Sequence, residues 1–244
     1  MSATTTGDLA GSAALVTGAA RGIGAAAATA LASRGATLHL ADLDDCGAVC
    51  EQIQEAGGVA HAHRLDVTDK AACVHVAEEI GTPDILVCNA GVCPAGEPVG
   101  SDEQWTRVLN VNLNGTQNCI AAVWEPMEQA KRGSIVIVSS MAYYRGGVIV
   151  GTEYSASKAA LIGVTRHLAR NGGPHGIRVN AVAPGIIETN MTRDFPKPDL
   201  DEIPLRRLGT AEDVAGPISF LCGPESAYMT GAVLNVTGGI VLAG

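Results

Sequence analysis

Tyr154 and Lys158 stand four residues apart in the stretch GTEYSASKAALIG, residues 151–163. Four residues is about one helical turn, so on a helix the phenol and the ammonium share a face. A free tyrosine titrates near pH ~10, poorly matched to proton transfer near neutrality. An adjacent ammonium stabilises the phenolate and lowers that value. The pair is therefore suited to general acid/base work at an oxygen. Upstream, the apolar run SIVIVSS ends on Ser139 and Ser140. A hydroxyl at the carboxyl edge of a parallel strand can donate to a substrate oxygen. Alternation along the strand does not by itself choose between the two serines.

A second constellation lies near the N-terminus. The run AALVT passes into TGAARGIGAAAATALASRG, which places Gly18, Gly22 and Gly24 in a GxxxGxG spacing beside Arg21 and Ile23. Glycine permits a tight turn and close backbone approach, and the following helix start offers free N–H groups to a pyrophosphate. The spacing differs from the GxGxxG of the usual dinucleotide fingerprint. About twenty residues on, LADLDD puts Asp42 at the end of the next apolar run. A carboxylate there can accept from both hydroxyls of an adenosine ribose and would repel a 2′-phosphate. Leu43 follows it, leaving Arg21 as the only nearby basic candidate. On charge, NAD is favoured over NADP.

Positioning these groups requires a regular scaffold, and the chain provides its pattern. β-Branched or apolar runs at 13–17, 37–41, 58–67, 84–89, 134–140, 177–184 and 232–236 read as strands. Helical patterns lie between them at 23–34, 69–80, 102–130, 154–171 and 211–222, with a weaker one at 44–56. Repeated β-α-β order predicts an α/β fold, a doubly wound parallel sheet with helices on both faces. No linker or repeat divides the 244 residues, so one domain is expected. The polar, Pro-rich piece 192–209 breaks the pattern and reads as a substrate loop or lid.

Composition narrows the class. Aromatics are only 3% of residues, so the core must be aliphatic, as a doubly covered sheet requires. A net charge of −9 without a basic cluster argues against nucleic acid as a partner. No apolar run is long enough to span a membrane, and the N-terminus lacks the pattern of a signal peptide. Seven cysteines without a CxxC pair read as reduced thiols and not as a metal site, which favours a cytoplasmic protein.

In order along the chain come TGAARGIG (17–24), LDVTD (65–69), CNAG (88–91), VNLNG (111–115), SSMA (139–142), YSASK (154–158) and RVNAVAPG (178–185). The set resembles the short-chain dehydrogenase/reductase family over nearly the whole chain. The resemblance implies a Rossmann-type sheet of about seven strands and interconversion of a secondary alcohol and a ketone. It makes Tyr154 the general acid/base and has Lys158 also hold the nicotinamide ribose. Counting from Gly133 and Asn112, it selects Ser140. It assigns to Asn112, with Asn110 and Asn114 as close neighbours, a water that links Lys158 to solvent. Asp66 and Val67 would flank the adenine, and Asn89, Ala90 and Gly91 would line the cofactor. Pro184, Gly185, Ile187 and Thr189 would surround the carboxamide.

There are departures. Cys88 stands where the family has Asn, and Thr237 where relatives often have Asp. Fourteen residues separate Ser140 from Tyr154, one more than the commonest spacing, so an insertion in 143–153 would alter the pocket wall. The expected walls are 93–100, 141–151 and 192–204, partly apolar through Tyr143, Tyr144, Val148, Ile149 and Phe195, under a relatively open lid. YSASKAALIGVTRHLAR and IRVNAVAPGIIETNMT also resemble 3-oxoacyl-carrier-protein reductases, which generally use NADPH. Arg166, Arg170, Arg206 and Arg207 would then be docking candidates for an acidic carrier. A catalytically silent dinucleotide sensor would carry a broken Ser/Tyr/Lys set, and none is broken here. The family is usually tetrameric, and the apolar 235–244 segment fits a subunit contact.

Overall fold

The computed structural model describes residues 7–147 and 149–242. Seven strands form one parallel sheet: β1 Ala13–Thr17, β2 Thr37–Asp42, β3 Val59–Arg64, β4 Ile85–Cys88, β5 Gly133–Val138, β6 Ile177–Pro184 and β7 Val233–Val236. Their spatial order is β3-β2-β1-β4-β5-β6-β7. The sheet is thus the doubly wound α/β architecture that the strand and helix spacing predicts. Helices α1 Gly22–Ser33, α2 Gly47–Glu55 and α8 Ala211–Cys222 cover one face, where Val16, Leu31, Leu38, Ile53 and Val214 meet. Helices α3 Lys70–Ile80, α5 Thr116–Ala130 and α7 Thr152–Gly172 cover the other, against Leu15, Leu86, Val123, Met127 and Leu161. Each fully buried aliphatic side chain contributes about 1.5–3 kcal/mol through its removal from water.

Winding reverses between β1 and β4, which are hydrogen-bonded neighbours although two strands separate them in sequence. Connections leave those two strands toward opposite ends of the sheet, so a crevice opens above their carboxyl edges. Every site residue of the sequence reading except those on α7 and the turn at 110–115 sits on or just beyond such an edge.

Two elements differ from the sequence expectation, and the expected loop is irregular as predicted. The run 58–67 pairs only over Val59–Arg64, because Asp66 folds into a turn that accepts from the Thr68 N–H at 2.9 Å. Asp69 then caps α3 by accepting from the Ala71 and Ala72 N–H groups. The predicted helix 102–130 is α4 Asp102–Leu109 and α5 joined by a widened π turn, Asn110–Gly115. Gly115 closes that turn against Val67, where an added Cβ would sit 2.5 Å from a side-chain carbon. The piece 192–209 is irregular, with a single 3₁₀ turn at Leu200–Glu202.

Candidate active site

The glycine loop is pinned from below. Gly18 and Gly22 adopt φ of +66° and +59°, the left-handed region that glycine tolerates. Asn89 at the end of β4 donates to the Thr17 and Gly18 carbonyls at 3.1 and 2.9 Å. Gly24 serves packing: a Cβ there would lie 2.1 Å from the Gly18 carbonyl oxygen, so only glycine lets α1 start this close to the loop. Asp42 stands at the lip of β2. Its carboxylate accepts from the Ala20 N–H at 3.0 Å and from the Asp44 N–H at 3.1 Å, which holds it beside the loop. Arg21 is ion-paired with Asp44.

A groove of about 930 Å³ runs along these edges. Gly18, Arg21, Gly22, Ile23, Asp42 and Leu43 line one end. Asp66, Val67, Asn89, Ala90, Gly91 and Thr189 continue its walls. Beyond Gly91 lies the polar cluster. A Cβ on Gly91 would stand 3.2 Å from Asn112 Oδ1 and 3.5 Å from Lys158 Nζ, so glycine leaves the space in which those two approach. Lys158 is buried, donates from Nζ to the Val138 carbonyl at 2.9 Å and lies 5.8 Å from the Tyr154 ring centre.

The alternation left open by the sequence resolves geometrically. Ser139 is buried and donates to the Lys158 carbonyl at 2.8 Å, tying β5 to α7. Ser140 lies close to the Tyr154 hydroxyl and favours its ionised form. Its own oxygen accepts from the Ala142 N–H at 3.2 Å, at the start of the short helix α6 Ala142–Arg145.

The sequence profile of a family described as enoyl-(acyl carrier protein) reductase matches residues 18–241. An uncharacterized short-chain type dehydrogenase/reductase of Sinorhizobium fredii is 39% identical, with 96% of this chain and 99% of that protein covered. The chain is a short-chain dehydrogenase/reductase. Among solved structures, a 3-oxoacyl-[acyl-carrier protein] reductase with bound NAD from Brucella melitensis is 38% identical. Its TM-score is 0.91, with 98% of this chain and 94% of that one covered. A protein from Beutenbergia cavernae, described as a putative NAD(P) dependent gluconate 5-dehydrogenase with bound NADP at low occupancy, is 36% identical. It gives a TM-score of 0.91 over 96% of this chain and 98% of its own.

In this dehydrogenase/reductase one expectation needs correction, that of the Tyr154 charge. Asn112 is buried in the π turn, beside Gly91 and Ser157. Its amide is taken up by the protein, accepting from the Val92 N–H at 2.8 Å and donating to the Val92 carbonyl and the Ser157 hydroxyl at 3.0 and 3.1 Å. Its carbonyl accepts from the Thr116 hydroxyl at 2.8 Å. Ile187 turns its side chain into the core, and Gly185 packs on Thr237, where an added Cβ would be 2.9 Å from a backbone carbon. Pro184 ends β6, its carbonyl accepting from the Met141 N–H at 2.8 Å. Thr189 lines the groove.

The correction concerns charge. The Lys158 ammonium was expected to lower the Tyr154 value. Burial instead pushes the phenol well up, Cys93 adds to this, and the Ser140 hydrogen bond opposes it. Burial also brings Lys158 down to about 8, and proximity to Cys93 partly offsets that. Directed at the Val138 carbonyl, the ammonium is not the dominant influence on the phenol.

Sequence reasoning missed Cys93, whose thiol lies against Tyr154 and is pushed up to about 11, chiefly by burial. It also missed Glu153. That carboxylate is wholly buried, accepts from Gln104 Nε2 at 2.7 Å, and has a second oxygen without a hydrogen-bond partner. It is wedged where a Cβ on Gly100 or Gly151 would collide with it. Arg107 and Met191 in the groove walls were also missed. No spacing marks them, because tertiary packing and not periodicity brings them there. Loops 93–100 and 141–151 meet at a bridge between Ala95 and Val150. Val148, expected in that wall, lies outside the described residues.

Proposed function

We propose that the enzyme interconverts a secondary alcohol and a ketone with NAD(H), using Tyr154 as the general acid/base. The observation that carries this reading is the convergence of Tyr154, Ser140 and Lys158 just beyond the Gly91–Cys93 end of a groove whose other end holds Asp42. The groove's residues fit a dinucleotide. The first turn of α1 carries no acidic residue, and no side chain caps its N–H groups. The positive-φ loop and the anchored Asp42 carboxylate suit a pyrophosphate and a ribose diol respectively.

When bound, a nicotinamide supplies or accepts the hydride. In reduction Ser140 donates a hydrogen bond to the substrate oxygen, and Tyr154 passes its hydroxyl proton to that oxygen as the carbon gains hydride. Oxidation reverses both movements. Lys158 holds the ribose and restores the proton to Tyr154, with Asn112 fixing the adjoining turn through Val92.

NAD is preferred in this reading because Asp42 would face a 2′-phosphate with like charge, and Arg21 is already paired with Asp44. A second reading, reduction of a 3-oxoacyl thioester, draws support from the Brucella melitensis protein's description. It lies within the first chemically, since the group reduced is a ketone. Of its docking cations, Arg206 is paired with Asp201 and Arg207 with Asp213, which leaves Arg166 and Arg170. All seven cysteines are free thiols, in keeping with a cytoplasmic setting. No helix among the described residues is long and apolar enough to cross a membrane.

The test is absorbance at 340 nm with both cofactors over ketones, secondary alcohols and 3-oxoacyl thioesters. NADH turnover exceeding NADPH turnover is expected, and the reverse would overturn the Asp42 assignment. Tyr154→Phe is expected to cut kcat by about 10³-fold or more, as loss of a general acid does, while NADH affinity changes less than about twofold. An active Tyr154→Phe variant would refute the assigned role. Tight NADH binding without turnover on the whole panel would favour a silent sensor.

A further inference from the structure

Resting on the reading of the groove as a dinucleotide site, we propose that Arg193 supplies the cation that binds the pyrophosphate. The groove's nucleoside end is acidic, lined by Asp42, Asp44 and Asp66. A dinucleotide brings two further negative charges to it. The start of α1 offsets about half an elementary charge by its dipole. The loop's own guanidinium, Arg21, is neutralised by Asp44. A second cation is therefore needed above the glycines.

Arg193 meets the requirement. The segment that carries it leaves β6 and folds back across the glycine loop, so that a Cβ on Gly22 would lie 3.5 Å from the Thr189 methyl. A turn fixes the segment there: the Thr192 N–H donates to the Thr189 carbonyl at 3.2 Å, and the Thr192 hydroxyl donates to the Ile187 carbonyl at 2.6 Å. Arg193 is the next residue. It lines the same groove as Gly18 and Gly22, and its guanidinium donates to the neutral Asn190 side chain. It makes no ion pair with Asp194 or any other carboxylate among the described residues. A planar fork of donors lining the same groove as the glycine loop matches the geometry of phosphate oxygens.

The experiment separates charge recognition from nucleoside recognition without catalysis. ADP-ribose and adenosine are each titrated into the wild type, Arg193→Ala and Arg193→Lys. Direct calorimetry serves for ADP-ribose and displacement of bound NADH fluorescence for adenosine. Arg193→Ala is expected to weaken ADP-ribose about tenfold, the cost of one charge-assisted contact of about 1.4 kcal/mol. Adenosine should change less than about twofold, and Arg193→Lys should recover part of the loss. The ADP-ribose deficit should shrink as salt is raised. Wild-type ADP-ribose affinity in Arg193→Ala, or an equal loss for adenosine, would overturn the assignment while the groove reading stands. A wild-type enzyme that binds neither NADH nor ADP-ribose would overturn both.

Discussion

Burial raises the proton affinity of the Tyr154 hydroxyl, Cys93 raises it further, and Ser140 opposes them through its hydrogen bond. As a base in alcohol oxidation Tyr154 must lose its proton, so kcat/KM should climb with pH along a limb set by these neighbours. Removing Ser140 and removing Cys93 are then expected to move that limb in opposite directions. A neutral hydrogen bond of about 1 kcal/mol corresponds to roughly 0.7 in pH. Ser140→Ala should shift the limb up by about that amount, with kcat/KM falling tenfold or more because the substrate oxygen also loses a donor. Cys93→Ala should shift it down. Limbs that move together, or a Cys93→Ala limb that does not move, would contradict this account. Spacing alone made Tyr154 and Lys158 visible, since four residues along a helix fix a shared face. Cys93 was not visible, because its approach depends on how the loop after Gly91 folds back over α7.

At the scale of elements, the sheet was legible because alternation and composition act together. Leu38 and Leu40 turn to α1 and α2, and the intervening positions turn to the α3 side. At the edge strand β3 that second side is only partly covered, and it carries histidines. His39 is in register with His61, its Nδ1 lies 3.0 Å from His63 Nε2, and Glu79 and His75 approach from α3. Burial first, then His63 and His61, lowers His39 to about 4. The folded state thus disfavours a charge that the unfolded chain accepts below its ordinary value of about 6.5. Stability should be complete above that value and decline as pH falls toward 4, by about 1–2 kcal/mol after screening by solvent. Urea unfolding at pH 7.5 and pH 5 measures this, and His39→Gln should flatten the difference. An unchanged slope in that variant would remove His39 as its cause. The π turn at 110–115 was not legible, because its residues are ordinary helix formers and one extra residue leaves no periodic mark over six positions. It matters to the site, since it carries the Asn112 amide that holds Val92.

For the whole molecule, the question is what covers the large apolar side chains left outside. Tyr228 is fully exposed, Leu242 is 88% exposed and Phe220 36%. They lie on α8 and on the segments flanking β7, the outer strand of the sheet. Trp105 is 43% exposed on α4, at a separate element. A closed tetramer of dihedral symmetry needs two distinct self-complementary faces on each chain, and a dimer needs one. Exposed apolar side chains on two separate elements are compatible with the tetramer that resemblance to the family implies. Light scattering is expected to give four times the chain mass at micromolar concentration. Tyr228→Asp combined with Leu242→Asp should break only the β7 face and leave dimers, whereas Trp105→Asp should leave dimers of the other kind. Because no groove-lining residue lies on β7 or its flanking segments, the first dimer should keep NADH affinity within about twofold. Monomers from the β7 variant, or a wild type that is monomeric, would show that these side chains do not mark two independent interfaces.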